Sequence, residues 1–211
     1  MRKLILKMSV SLDAFVAGPK GESAWIFRGE DDEMTEWSVA KIREAGVHIM
    51  GSRTYQDMAA YWPCATDAYA PAMNEIPKLI FSKQGSALKP DENLTTISLK
   101  DAPQAGPKVV VSQKELDGWI HPQVASGDLT EEITRLKQQP GKDILAHGGA
   151  SFARSLVAAR LVDEYQLLIH PVILGKGSAI FSGLDEPLYL KIVDNIPFPS
   201  GAIARIYRPE P

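Results

Sequence analysis

From Leu4 to Leu12 the chain is apolar with partial alternation. Leu4, Leu6, Met8 and Val10 fall on one face, and Ile5, Ser9 and Ser11 on the other. That pattern predicts a first strand buried mostly on both faces. Ala17-Gly18-Pro19-Lys20-Gly21 then reads as a turn. Met34, Trp37, Val39, Ile42 and Ala45 share one helical face, which predicts a helix over 32–45 ended by Gly46. A short strand follows at Val47–Met50. Gly51-Ser52-Arg53-Thr54 turns from it into a helix running to about Ala60, with Ser52 or Thr54 expected as its cap. Lys78–Phe81, entered from Pro77, reads as a strand.

The stretch from Ser82 to Pro107 is rich in Pro, Lys and Asp, with a short strand expected at Leu94–Ser98 and another at Val109–Val111. Ser112–Gly127, which holds Trp119, His121 and Pro122, is expected to be an irregular loop. Asp128 caps a helix to about Gln138, and Pro140-Gly141 ends it. Asp143–Ala146 reads as a strand, 150–159 as a helix and Glu164–Ile169 as a strand. Leu188–Ile196 and Ala202–Arg208 read as a closing antiparallel pair. Strands alternate with helices first, and strands alone finish. The fold class expected is α/β, with a mixed, mostly parallel sheet and antiparallel C-terminal strands. With no internal repeat, low-complexity tract or linker, a single domain over 1–211 is the economical reading.

Composition narrows the function classes. The formal charge is -3, from 23 basic and 26 acidic residues. Such a balance supplies no basic field, so nucleic acid is not an expected partner. The lone Cys64 excludes an intramolecular disulfide and a multi-cysteine zinc site, and the four histidines lack a metal-motif spacing. No metal is expected, and a reduced, cytoplasmic setting fits. The start resembles a signal peptide, but Lys7 and Asp13 interrupt its apolar run, so it is read as the first strand. No stretch approaches the ~20 apolar residues of a membrane helix.

Ligands of open α/β sheets bind beyond the carboxyl ends of strands, where loops feed helix N-termini. Two junctions have that form. In Gly51-Ser52-Arg53-Thr54, glycine admits a ligand to the backbone, the helix start offers free N–H groups to phosphate, and Arg53 adds a positive fork. In Gly148-Gly149-Ala150-Ser151, paired glycines open a helix in the same way, without a full G-x-G-x-x-G. Ser82-Lys83, leaving the strand that ends at Phe81, is a third candidate, for a 2′-phosphate. Each junction also reads as a plain turn or capped helix. Trp25, Tyr55, Tyr61, Trp62 and Phe152 are candidate walls of a ring pocket as well as ordinary core residues.

Met8-Ser9-Val10-Ser11-Leu12-Asp13-Ala14-Phe15-Val16-Ala17-Gly18 resembles the first strand of the dihydrofolate-reductase-like family. The closer match is to the C-terminal reductase domain of the bifunctional riboflavin-biosynthesis deaminase-reductase. Met50-Gly51-Ser52-Arg53-Thr54-Tyr55 resembles its Gly-Arg-x-Thr turn with Ser52 inserted or Arg displaced by one. Ile76–Lys83 and Gly148–Leu156 resemble its next two signatures. Leu161-Val162-Asp163-Glu164-Tyr165 through His170-Pro171-Val172-Ile173-Leu174-Gly175-Lys176-Gly177 is the most specific segment.

The resemblance implies a three-layer α/β/α fold and NADPH as hydride donor. It places the cofactor against Gly51, Ser52, Arg53, Thr54, Ser82, Lys83, Gly148, Gly149, Ala150, Ser151 and Phe152. Arg53 and Lys83 would be the 2′-phosphate partners. It implies a pterin-like or ribitylamino-pyrimidine-like small-molecule substrate beside Asp13, Trp25 and Trp62, with Asp13 or Glu30 as the catalytic acid. A homodimer through the apolar terminal strands is expected by the same analogy. Glu30-Asp31-Asp32-Glu33 also reads as the acidic start of a helix, and His147 is unusual before Gly-Gly. One cysteine cannot supply the deaminase zinc site, so only the reductase module is expected. The rival reading is a catalytically inactive nucleotide-binding module of the same fold.

Overall fold

β1 (Leu4–Ser11) is the strand that the first apolar run requires, and the sheet is built outward from it. The computed structural model describes residues 1–85, 88 and 113–210. β1 lies between β6 (Ile144–Ala146) and β7 (Glu164–His170), parallel to both. β3 (Val47–Gly51) and β4 (Lys78–Phe81) continue beyond β6, followed by a short parallel strand, β5 (Gln123–Ala125). On the other side β10 (Ile203–Pro209) runs antiparallel to β7, and β9 (Leu190–Pro197) antiparallel to β10. The order is β5-β4-β3-β6-β1-β7-β10-β9, and β2 (Phe15–Ala17) pairs with β8 (Ser178–Ala179) in a separate ribbon.

Period-two alternation in β1 sets the two layers. Leu4, Leu6, Met8 and Val10 join Ile133 and Leu136 of α5 (Leu129–Gln138) and Ala153, Leu156 and Val157 of α6 (Ala150–Ala158) in one core. Ile5 faces the other way, onto Ile42 of α1 (Asp32–Arg43) and Met73 of α3 (Ala70–Glu75). Tyr55 and Ala59 of α2 (Ser52–Tyr61) pack on that second face, over Met50 and Ile80. Helices therefore cover both faces of a mixed sheet, the three-layer arrangement expected.

Three sequence expectations need comment. The stretch 112–127 is not an irregular loop: Gln113–Ile120 forms α4 and Gln123–Ala125 forms β5. Its anchor is Trp119, fully buried, whose indole donates to Asn74 Oδ1 (2.8 Å) while its carbonyl accepts from the Tyr55 hydroxyl. Pro122 sits between the two elements and breaks neither. The cap of α2 is Gly51, with no side-chain hydrogen bond, rather than Ser52 or Thr54. Thr54 Oγ1 is engaged elsewhere, as described below. The strands expected at Leu94–Ser98 and Val109–Val111 lie outside the described residues. Among the described residues, no helix is long and apolar enough to cross a membrane.

Candidate active site

β3 and β6 are neighbours, yet the helices that follow them leave to opposite faces: α2 covers Met50, and α6 covers Ala146. Such a divergence opens a crevice at the carboxyl ends of the two strands. Both helices begin there on glycine, Gly51 and Gly149, and neither first turn is capped by a side chain or carries an acid. Their free N–H groups and dipoles converge on one place, which suits an anion.

The two turns are locked together. Gly149 N–H donates to Thr54 Oγ1 (2.7 Å), so each helix start fixes the other. Space requires glycine at 149 and leaves little room for a side chain at 51. A Cβ on Gly149 would stand 2.7 Å from Thr54 Oγ1, and one on Gly51 would stand 3.3 Å from the Phe152 Cβ. Gly148 has φ of 81° and lies against the Met8 sulfur, so a side chain there is refused by both conformation and contact. Phe152 stacks at a tilt on Phe81, 5.1 Å between centroids, at the end of β4. Ser82 follows, buried, its amide donating to the Ala125 carbonyl and its hydroxyl accepting from the Gln84 amide. The three junctions singled out in sequence thus meet on one rim. Arg53 and Lys83 are exposed at its outer side; burial raises the Asp57 carboxyl, and the nearby Arg53 charge offsets only part of that.

The second face carries a group that the sequence reading passed over. Lys7 and Ser9 are half-buried on this central strand, with Trp37 of α1 over Lys7 and Met34 of the same helix packed on Leu168, the register partner of Ser9. Lys7 Nζ lies 5.5 Å from the Trp37 ring centroid, and among the described residues no carboxylate pairs with it. Burial holds its ammonium down to about 8. Register places His147 of the β6 end beside Lys7. The His147 ring meets the His48 ring edge to face at 4.4 Å, and burial and the positive charge of Lys7 push His147 down to about 3. His48 is fully buried and also held neutral. His170, at the end of β7, packs edge-on to Trp25 at 5.4 Å. The signal for Lys7 was a lysine inside an apolar strand pattern, on the face of Ile5 and Ser9.

The expected acids are placed differently from one another. Asp13 is bound into the loop beyond β7: it accepts from the Ser11 hydroxyl (2.6 Å), the Gly175 amide (2.7 Å) and the Leu174 amide (3.1 Å). Those bonds, the Ser11 hydroxyl foremost, hold its carboxyl below the usual range. Glu30 is exposed between the 3-10 turn Ala24–Phe27 and α1, and accepts from the Tyr69 hydroxyl (3.0 Å) and the Thr35 hydroxyl (3.3 Å). Asp31 caps α1 through the Met34 amide, with Asp32 and Glu33 in its first turn, as the acidic run suggested. Trp62, half-buried after α2, lies between Tyr61 and Tyr69, 4.9 and 6.4 Å between centroids.

Comparison with known proteins agrees with this architecture. The chain is 29% identical over 208 residues to YyaP, an uncharacterized protein of Bacillus subtilis, covering 98% of this chain and 94% of that one. The crystal structure of a putative riboflavin biosynthesis protein from Shewanella superposes with a TM-score of 0.69 at 18% identity, each chain covered in full. Dihydrofolate reductase from Enterococcus faecalis, complexed with NADP(H), superposes at 0.57 with 10% identity, over 99% of this chain and 97% of that one. The last two likenesses establish a dihydrofolate-reductase-like fold. Residues 2–203 match the model of the RibD C-terminal domain, and the chain belongs to that family.

Proposed function

We propose that the protein is an NADPH-dependent reductase of a small heterocycle, pterin-like or ribitylamino-pyrimidine-like. One observation supports this most: two uncapped helix starts, joined by the Gly149–Thr54 hydrogen bond, border a crevice whose far side holds a lysine that pairs with no carboxylate among the described residues. The glycine turns would take the pyrophosphate and ribose through the free N–H groups of the two helix starts. Arg53 and Lys83 would hold the 2′-phosphate, with Ser52, Ser82, Ala150, Ser151 and Phe152 lining the approach. NADPH, when bound, supplies the hydride.

The chain's own residues then have separable tasks. Negative charge develops on the substrate heteroatom next to the carbon that is reduced. Lys7 lies where it can stabilise that charge, in a site of low polarity where such an interaction is strong. With a pKa of about 8 it is also a competent proton donor at neutral pH. Asp13, ionised and tied to the 174–175 backbone, shapes the pocket rim and is poorly suited to donate a proton. Glu30 and Trp62 stand at the outer edge as substrate contacts. A homodimer through β9 belongs to the same reading, because β9 ends the sheet and exposes Ile192 and Val193.

The test is turnover. Loss of reduced-nicotinamide absorbance is followed with a panel of oxidised pterins and ribitylamino-pyrimidine precursors. Oxidation by the native protein, reduced on the order of 10²-fold or more in Lys7→Met with cofactor affinity retained, is the expected result. Tight NADPH binding without oxidation across the panel would favour an inactive nucleotide-binding module.

A further inference from the structure

The two helices that start at the crevice, α2 and α6, carry one acidic side chain between them, Asp57. They carry two cations, Arg53 and Arg154. Arg154 is engaged with the Ala179 carbonyl (3.2 Å). Arg53 and Asp57 form no salt bridge among the described residues. They stand four residues apart, which puts both on one stripe of the helix, about 6 Å apart along its axis. Tyr55 and Ala59 form the buried face of α2, and the stripe of Arg53 and Asp57 is exposed. Arg53 is the described charge that acts on Asp57.

Helix stability does not account for an acid here. Aspartate is a poor helix former in an interior position. Asp57 lies beyond the first turn of α2, past the reach of the dipole that favours acids at a helix start. The order, cation before acid, is the weaker orientation of an i, i+4 pair. Exposure leaves the carboxylate no packing task.

The charge does matter to an anion held at Arg53. A phosphate monoester carries close to two negative charges at neutral pH. A carboxylate one helical turn away repels it within about a Debye length, ~10 Å at 0.1 M salt. The same carboxylate lowers the field of the guanidinium without occupying its donors, so the fork still binds, less tightly. NADH presents a 2′-hydroxyl at that position, with no charge to repel.

We propose that Asp57 is a specificity-determining residue for the nucleotide. Its carboxylate weakens the hold of Arg53 on a 2′-phosphate, so the balance of two opposite charges on α2 sets the preference for NADPH over NADH. The inference rests on the reading of this crevice as the NADPH site, and names the residue that opposes the phosphate there.

Titration of the full chain with NADPH and NADH, followed by nicotinamide fluorescence at an ionic strength of about 0.01 M, tests it under weak screening. Asp57→Asn is expected to tighten NADPH binding about threefold and to change NADH binding by less than about 1.5-fold. Asp57→Lys is expected to raise the NADPH-to-NADH preference further, about tenfold over the native protein. At about 1 M salt the gain from Asp57→Asn should vanish. Circular dichroism checks that each variant keeps the native fold, and the two variants stand in for each other if one does not. An unchanged NADPH-to-NADH preference, whether from no gain or from an equal gain for both nucleotides, overturns the proposal and leaves the reductase reading standing. Binding of neither nucleotide by the native protein or the variants sinks the reductase reading, and this inference with it.

Discussion

Lys7 concentrates the tension between stability and function at the level of one residue. Its ammonium is withdrawn from water without a carboxylate partner among the described residues, and its pKa falls from 10.5 to about 8. Below about pH 8 the amine is protonated in both the folded and unfolded chain, and the whole burial penalty is present. Between about 8 and 10.5 the unfolded chain binds more protons, so stability rises with pH and the penalty is relieved. Lys7→Met is therefore expected to raise the melting temperature at pH 7, by the equivalent of roughly 1–3 kcal/mol. The gain should fade as pH rises from about 8 to 10.5. Thermal unfolding across that range checks it; destabilisation at pH 7 would show that Lys7 has a structural partner. A substitution that stabilises the fold while removing turnover is the pattern of a functional site. Nothing in the hydrophobic pattern separates such a lysine from one that merely extends to the surface. The registers of β1 with β6 and β7 show its surroundings.

At the scale of elements, the coupled starts of α2 and α6 carry the cofactor side. Sequence showed both glycine junctions, because glycine before a helix is a local signal. It could not show that β3 and β6 are adjacent, or that Thr54 serves the other helix instead of capping its own. Thr54→Val keeps the shape and removes the acceptor for the Gly149 amide. The expected outcome is a stability loss of about 1 kcal/mol and weaker NADPH binding. Gly149→Ala drives a Cβ toward Thr54 Oγ1 and should cost more, about 1–3 kcal/mol. Denaturant unfolding and cofactor titration of both variants check this; unchanged cofactor affinity in both would separate the turns from the binding site. α4 shows the opposite case. Pro122 reads locally as a breaker, while what anchors the helix is the long-range bond from Trp119 to Asn74. Asp128, by contrast, acts locally and was legible: its carboxylate accepts from the Thr130 and Glu131 amides.

Over the whole molecule, alternation of strands and helices was enough to give the layer order, since each amphipathic element must bury one face. Strand order was not, because the chain skips across β6 and later across β1 to build the sheet. The outer strand β9 leaves a long edge, with Tyr189, Ile192 and Val193 exposed. Such an edge invites pairing with a second copy. Sedimentation of the native protein should report a dimer, and Ile192→Lys with Val193→Lys a monomer of unchanged fold; a monomeric native protein at micromolar concentration would remove the homodimer from the account.

The net charge of -3 conceals a local positive arrangement, with Arg53 and Lys83 on one side of the crevice and Lys7 on the other. The central claim is that the crevice between α2 and α6 holds NADPH. Its most direct test is titration of NADPH and NADH followed by nicotinamide fluorescence, on the native protein and on Arg53→Ala. The account predicts saturable binding with NADPH preferred, and an Arg53→Ala variant that loses NADPH affinity about tenfold while NADH affinity barely changes. Absence of binding by either nucleotide would contradict it.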